Sequence, residues 1–286
     1  MNKNVVMTCV LVALFISSDF AHSQNAPNLE ALGIEYKLQE IKEPRPNRIH
    51  ALRLDLAKGK IRPAVVLADD PDGDGPAEAA LTSPLELAKD QSVVAFVNTN
   101  PWDSFPDKNG QRDRHWFEGQ PVDISGLAVS AGQTRSPSGP NPASVCVDTS
   151  GKVLLGDCPD RPVEGMMGFQ RIVEDGKLIT KPDENRHPRT AIGVDREGWT
   201  LWLVVVDGRQ EQFSEGMSVH ELGQVMLDLG CWNAINMDGG GSSVMGLAGP
   251  EGQVRVVNSP SDRDHGKPSV RPLPMVLTIR KTATRD

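Results

Sequence analysis

Residues 232–245 read W-N-A-I-N-M-D-G-G-G-S-S-V-M, and both the fold and the function turn on them. An apolar strand runs into polar residues and then into a flexible turn. Side chains alternate along a strand, which places Asn236 and Asp238 on one side with Ala234, and Ile235 and Met237 on the other. Three glycines follow, Gly239, Gly240 and Gly241, which can take positive φ and let backbone approach a ligand closely. Successive N–H groups in such a turn can form an anion nest, with Ser242 and Ser243 as extra donors. The plainer alternative is a tight strand exit in which Asp238 bonds its own turn.

Upstream, Ser218 and Glu221 form the S-x-x-E pattern of a capping box. Val219, Leu222, Val225, Met226 and Leu229 follow at helical spacing, and Gly230 suits the stop. Before this helix, W-T-L-W-L-V-V-V at 199–206 reads as a strand that stops at Asp207-Gly208-Arg209, again a carboxylate and a glycine at a strand exit. Strand, helix and strand in that order predict a crossover unit.

Farther out, a strand precedes Asp195, and 165–179 reads as a hairpin about Asp175-Gly176. Residues 93–102, V-V-A-F-V-N-T-N-P-W, read as a buried strand whose exit carries Asn98, Asn100, Trp102 and Asp103. Two strands fall in 48–67, a short strand in 126–133, a loop at 136–142, and a short helix capped by Ser83. Residues 24–47 are polar with three prolines and read as a lead-in. The last strand is M-V-L-T-I-R at 275–280. The expected fold is α+β: mixed sheet strands with few helices, in a single domain over 48–286.

The chain has 286 residues, 38% hydrophobic and 24% charged, which is ordinary for a globular domain with a sizeable core. A net charge of −8 without a basic stripe argues against nucleic acid as a partner. Lys3, the apolar run 5–16 and Ala21-His22-Ser23 resemble a secretory signal over 1–23, with export to the periplasm or outside as the expected destination. The run is short for a membrane span, and no later stretch approaches one. An exported chain permits disulfides. Cys146 and Cys158 flank a hairpin about Ser150-Gly151, so a bridge there and an open pair both fit; Cys231 is left over as a buried thiol. D-P-D-G-D-G at 70–75 opens like a calcium loop, but position twelve is Leu81, so a solvated acidic loop fits better. No cofactor is predicted, and a divalent cation stays open.

N-A-I-N-M-D-G-G-G-S-S at 233–243 resembles the signature of the phosphodiester glycosidase family. R-T-A-I-G at 189–193, D-G-R-Q at 207–210, S-E-G-M-S-V-H-E-L at 214–222, V-N-S-P-S-D at 257–262 and R-P-L-P at 271–274 resemble further family segments, in order, over about 187–279. After V-V-A-F-V-N the family usually continues with glycine and paired aromatics. Here T-N-P-W stands instead, which bears on the substrate more than on the chemistry.

The resemblance implies hydrolysis of a sugar-1-phosphate diester at the sugar C–O bond. A phosphodiester carries one negative charge that a planar guanidinium can hold through two oxygens. Arg189 is the first choice for this, with Arg271 or Arg209 in support and the N–H groups of 239–241 completing the anion site. Glycosidic cleavage usually needs two carboxylates, and Asp238 and Asp207, each at a strand exit, are the natural pair. His187 is a candidate proton donor, and Asn98 and Asn236 would orient sugar or phosphate oxygens. Two rival readings are a non-catalytic phosphoglycan-binding protein on the same fold and a metal-dependent phosphodiesterase that breaks P–O instead.

Overall fold

The computed structural model describes residues 27–107, 109–112, 115–139 and 141–283. The signal reading at 1–23 lies outside the described residues. Strands dominate, and the longest of three α-helical segments among the described residues, Val219–Asp228, has 10 residues.

The largest sheet has seven strands in the order Ile34–Ile41, Asn47–Asp55, Thr200–Val206, Arg189–Val194, Asn233–Asn236, Gln170–Glu174 and Lys177–Leu178. A second sheet is ordered Val254–Val256, Met245–Ala248, Val93–Asn98, Met275–Lys281 and Ile61–Leu67. A third is ordered Val153–Leu155, Ser144–Val147, Glu164–Met167, Ala128–Ser130 and Gln133–Ser136.

The apolar run at 199–206 is continuous because both faces of the large sheet are covered. Leu201, Leu203 and Val205 join the main core shared with the other two sheets, where Phe96 and Val97 are also buried. Val204 and Val206 point the other way, toward Leu222 and Met226 of the long helix. Burying side chains of this size contributes roughly 1.5–3 kcal/mol each. Ile235 and Met237 lie on the main-core side and Ala234 on the helix side, as alternation requires.

The crossover forms as expected. Thr200–Val206 and Asn233–Asn236 both pair antiparallel with Arg189–Val194, so they run parallel to each other with that strand between them. The helix between them opens with a complete capping box of Ser218 and Glu221, and Gly230 follows its end at φ 91°. The Cys146–Cys158 bridge is formed, with Cα atoms 5.6 Å apart, and Cys231 is a buried thiol.

Three expectations are corrected. Residues 24–47 are not merely a lead-in. Ile34–Ile41 is an edge strand paired along its length with Asn47–Asp55. Its outward Glu35, Lys37 and Gln39 disguise a period of two, as charged residues on a protected sheet edge do. The short strand at 126–133 is a hairpin, Ala128–Ser130 with Gln133–Ser136, turning at Ala131-Gly132. Ser83 precedes the helix Pro84–Leu87 without a side-chain cap bond, and the Glu86 side chain pairs with Lys89 instead of reaching back.

Candidate active site

The exit of Asn233–Asn236 is wedged between two other segments. Met237 N–H donates to Thr190 O at 2.9 Å, Asp238 N–H to Thr99 O at 3.0 Å, and Gly240 N–H to Pro188 O at 2.9 Å. Asn98 crosses this junction. Its Nδ2 donates to Asp238 O at 2.7 Å, and its Oδ1 accepts from Thr190 Oγ1 at 2.7 Å and Val244 N–H at 3.1 Å. Asn98 is therefore buried and braces the turn with all three bonds. Asn236 is also buried, on the helix side of the sheet, and does not line the cleft described below.

The glycine turn closes partly in the plainer of its two expected ways. Gly239 N–H donates to Asp238 Oδ1 at 2.9 Å, and Gly240 N–H is taken by Pro188. Two of the three expected nest donors are thus engaged by the protein itself. What the glycines do is make room. A Cβ on Gly241 would lie 2.1 Å from an Arg271 guanidinium nitrogen and 2.2 Å from Asp262 Oδ1. One on Gly240, where φ is 62°, would lie 3.2 Å from the Arg209 guanidinium. Successive glycines therefore seat two cations against the turn.

Arg271 is oriented from three directions. Its Nε donates to Asp262 Oδ2 at 2.9 Å, an Nη faces Ser242 Oγ at 3.5 Å, and its guanidinium carbon stands 5.8 Å from the Trp116 ring centre. Arg271 and Asp238 line a cleft of about 670 Å³ with Trp102, Asp103, Arg112 and Phe169. Burial pushes the Asp238 carboxyl up to about 6, against the opposing pull of the Ser242 hydroxyl, the Arg271 charge and the Gly239 N–H. A carboxyl poised near neutral pH beside a fixed guanidinium is the arrangement expected of acid–base or nucleophilic work on an anionic substrate.

Asp207, the expected partner of Asp238, does not line this cleft. Its side chain is fully buried and accepts from His50 Nε2 at 3.2 Å, Asn258 Nδ2 at 3.1 Å and Ser259 N–H at 2.9 Å. His50 Nδ1 in turn meets Tyr36 OH at 2.8 Å. Asp207 ties its own loop to the 258–262 loop that carries Asp262. Ser259 and Gln210 reinforce that tie, with Ser259 Oγ donating to Gln210 Oε1 at 2.8 Å. The second carboxylate lining the cleft is Asp103, paired with Arg112 at 3.3 Å.

Arg189, the first choice for phosphate, is engaged with backbone. It donates to Met217 O at 2.9 Å and Asn185 O at 2.8 Å, fastening the loop before its strand to the entry of the long helix. His187 lies beside it, with Nδ1 3.4 Å from Arg209. Burial, then Arg209 and Arg189, hold His187 below its usual value. The shift favours the neutral imidazole, in which one ring nitrogen accepts and the other donates. Of the expected phosphate cations, Arg271 alone lines the cleft, while exposed Arg209 flanks the same turn from Gly240.

Tyr36, His50, Asn258 and Phe169 escaped the sequence reading. His50 interrupts an apolar strand pattern, which hinted at a partner in the core. Asn258 lay inside the quoted segment 257–262 without being singled out, and Tyr36 and Phe169 carried no local signal. Among the described residues no group of three or more His, Cys, Asp or Glu side chains is placed to hold a metal ion, and no helix is long and apolar enough to cross a membrane.

The fold is that of the phosphodiester glycosidase class. The family model described as phosphodiester glycosidase matches residues 93–280, and the chain belongs to that family. Over 197 residues, 62% of this chain, it is 37% identical to the SPbeta prophage-derived protein YomE of Bacillus subtilis strain 168. Over 61 residues, 21% of this chain, it is 46% identical to the N-acetylglucosamine-1-phosphodiester alpha-N-acetylglucosaminidase of Bos taurus. These matches span only 27% and 11% of the two curated relatives, which are longer proteins. The zebrafish catalytic domain of N-acetylglucosamine-1-phosphodiester alpha-N-acetylglucosaminidase, auto-inhibited by its pro-peptide, superposes with a TM-score of 0.63 at 21% identity, covering 92% of this chain and 87% of that one. A Burkholderia pseudomallei protein described as exported superposes with a TM-score of 0.56 at 16% identity, covering 82% and 74%.

Proposed function

We propose that this chain hydrolyses a glycosyl 1-phosphodiester at the sugar C–O bond. The observation that carries the reading is the Asp238 carboxyl in one cleft with an Arg271 guanidinium that Asp262 holds in place. Arg271 holds the diester's single negative charge and the second charge that develops as the phosphate departs. A phosphate monoester is a weakly basic leaving group, so the bond breaks without a strong proton donor. Ionised Asp238 acts at the anomeric carbon, as the base that takes a proton from the entering water or as the nucleophile that water later displaces. Water oxygen joins the sugar, the phosphate keeps its bridging oxygen, and one proton passes to solvent. The name of the bovine relative makes N-acetylglucosamine 1-phosphodiesters the first substrates to try. The signal-like sequence at 1–23 and the Burkholderia neighbour described as exported support export, with an envelope or extracellular glycan as the substrate's source.

Hydrolysis of sugar-1-phosphate diesters in water enriched in heavy oxygen tests the reading. Label in the released sugar, undiminished by a chelator, is the expected result. Label in the phosphate, lost with chelator, would replace it with metal-assisted phosphodiester hydrolysis.

A further inference from the structure

Phe169 lines the cleft that holds Asp238, yet it is 60% exposed, more than any other exposed large hydrophobic side chain among the described residues. Single exposed apolar residues are common on protein surfaces, so exposure alone means little. What sets Phe169 apart is how firmly its backbone is held. Met167 N–H donates to Asn100 Oδ1 at 3.0 Å, Gly168 N–H to Ala143 O at 2.9 Å, and Phe169 N–H to Asn236 O at 2.9 Å. Three consecutive amides are pinned, the last to a residue two positions before Asp238.

The approach is possible only because residue 168 lacks a side chain. A Cβ there would lie 2.4 Å from Asn236 O, 2.7 Å from the Ile235 side chain and 2.9 Å from Met237 Sδ. Gly126, at φ 87°, clears the space for Met167 in the same way, since a Cβ there would fall 1.9 Å from Met167 Cε. The fold thus positions an aromatic ring, mostly in water, beside the strand that delivers Asp238. Trp102 is a second aromatic in the same cleft, with the Asp103–Arg112 pair next to it.

We propose that Phe169, with Trp102, is the platform on which the sugar ring of the substrate lies. The inference rests on the glycosidase reading above and names the subsite that reading leaves open. One face of a pyranose presents C–H groups of partial positive charge, which pack on the negative face of an aromatic ring. The sugar then lies across Phe169 with its anomeric carbon toward Asp238, and the phosphate lies toward Arg271. Sugar recognition and anion recognition occupy separate parts of one cleft.

The test compares wild type with Phe169→Ala, Phe169→Leu and Phe169→Trp, using the methyl diester of N-acetylglucosamine 1-phosphate as substrate and inorganic phosphate as competitive inhibitor. Because the side chain is exposed, none of these changes disturbs the core. The expected result for Phe169→Ala and Phe169→Leu is a KM raised about tenfold with kcat within about twofold, the pattern of lost uniform binding. Phe169→Trp restores KM, and the inhibition constant of phosphate stays unchanged in all three. If KM is unchanged in Phe169→Ala, or if phosphate inhibition weakens in parallel with KM, the platform is refuted while the glycosidase reading stands. A wild type that neither turns over the diester nor shows a tryptophan fluorescence change with N-acetylglucosamine 1-phosphate would overturn both.

Discussion

His50 Nε2 lies 3.2 Å from Asp207 Oδ2, across 157 residues of sequence, and neither side chain reaches solvent. Asp207 also satisfies Asn258 and the Ser259 N–H, so its carboxylate is a tie between loops. Asp207→Asn is expected to destabilise the protein by roughly 1–3 kcal/mol, because an amide presents N–H groups toward donors already in place. Thermal or denaturant unfolding checks this. Full stability with abolished turnover would instead return Asp207 to the chemistry.

The rate should depend on the ionisation of Asp238. With its carboxyl raised to about 6 by burial, kcat/KM is expected to climb as pH rises through about 6 and then level. Asp238→Asn should lower kcat by at least roughly 10³-fold and abolish that limb. A pH–rate profile that falls across the same range would mean the protonated form is the working one.

Stability should move oppositely at the same residue. The folded-state value of Asp238 lies above its ordinary value of 3.8, so folding favours the protonated form. That contribution is fully present below about pH 4 and is lost as pH rises through about 6. Asp238→Asn should therefore unfold at a higher temperature than wild type at pH 8, by up to about 3 kcal/mol of stability, and match it near pH 4. Paired melting curves at the two pH values decide this.

Gly241 should tolerate no side chain without loss of anion binding. An alanine Cβ would fall 2.1 Å from the Arg271 guanidinium and 2.2 Å from Asp262, so the pair must move. Gly241→Ala is expected to weaken inhibition by inorganic phosphate about tenfold, and Arg271→Lys to do so at least as strongly, since an ammonium lacks the planar fork. Inhibition constants of the two variants, measured with circular dichroism to confirm folding, test this.

The elements read correctly from sequence were those whose signals are local. The capping box at Ser218, the hairpin turn at Asp175-Gly176 and the two-faced strand at 199–206 each carry their own cause in adjacent residues. The strand Ile34–Ile41 was hidden because its polar face looks like loop composition. The motif pattern pointed to Asp238 and Arg271, which line one cleft in the structure. The separation of Asp207 from Asp238 was not legible, because two identical strand-exit patterns, Asp-Gly in both cases, end in different surroundings. Only the packing of His50 and Asn258 around one of them distinguishes a buried tie from a group at the cleft. Phe169 was invisible for the same reason, since its partner Asn236 is remote in sequence.

The order of the second sheet has a consequence for how the chain acquires its structure. Met275–Lys281 sits inside that sheet, between Val93–Asn98 and Ile61–Leu67, although it is synthesised after both. Until it arrives, two largely apolar strands have facing edges with open backbone groups, and the Asn98 end of one of them braces the Asp238 turn. Folding cannot proceed in step with synthesis. Pairing across roughly 200 residues is slow, because loop closure precedes any gain from contact. The nascent chain must therefore remain soluble with its edges open, and removing this one strand should yield aggregates rather than a shortened folded domain.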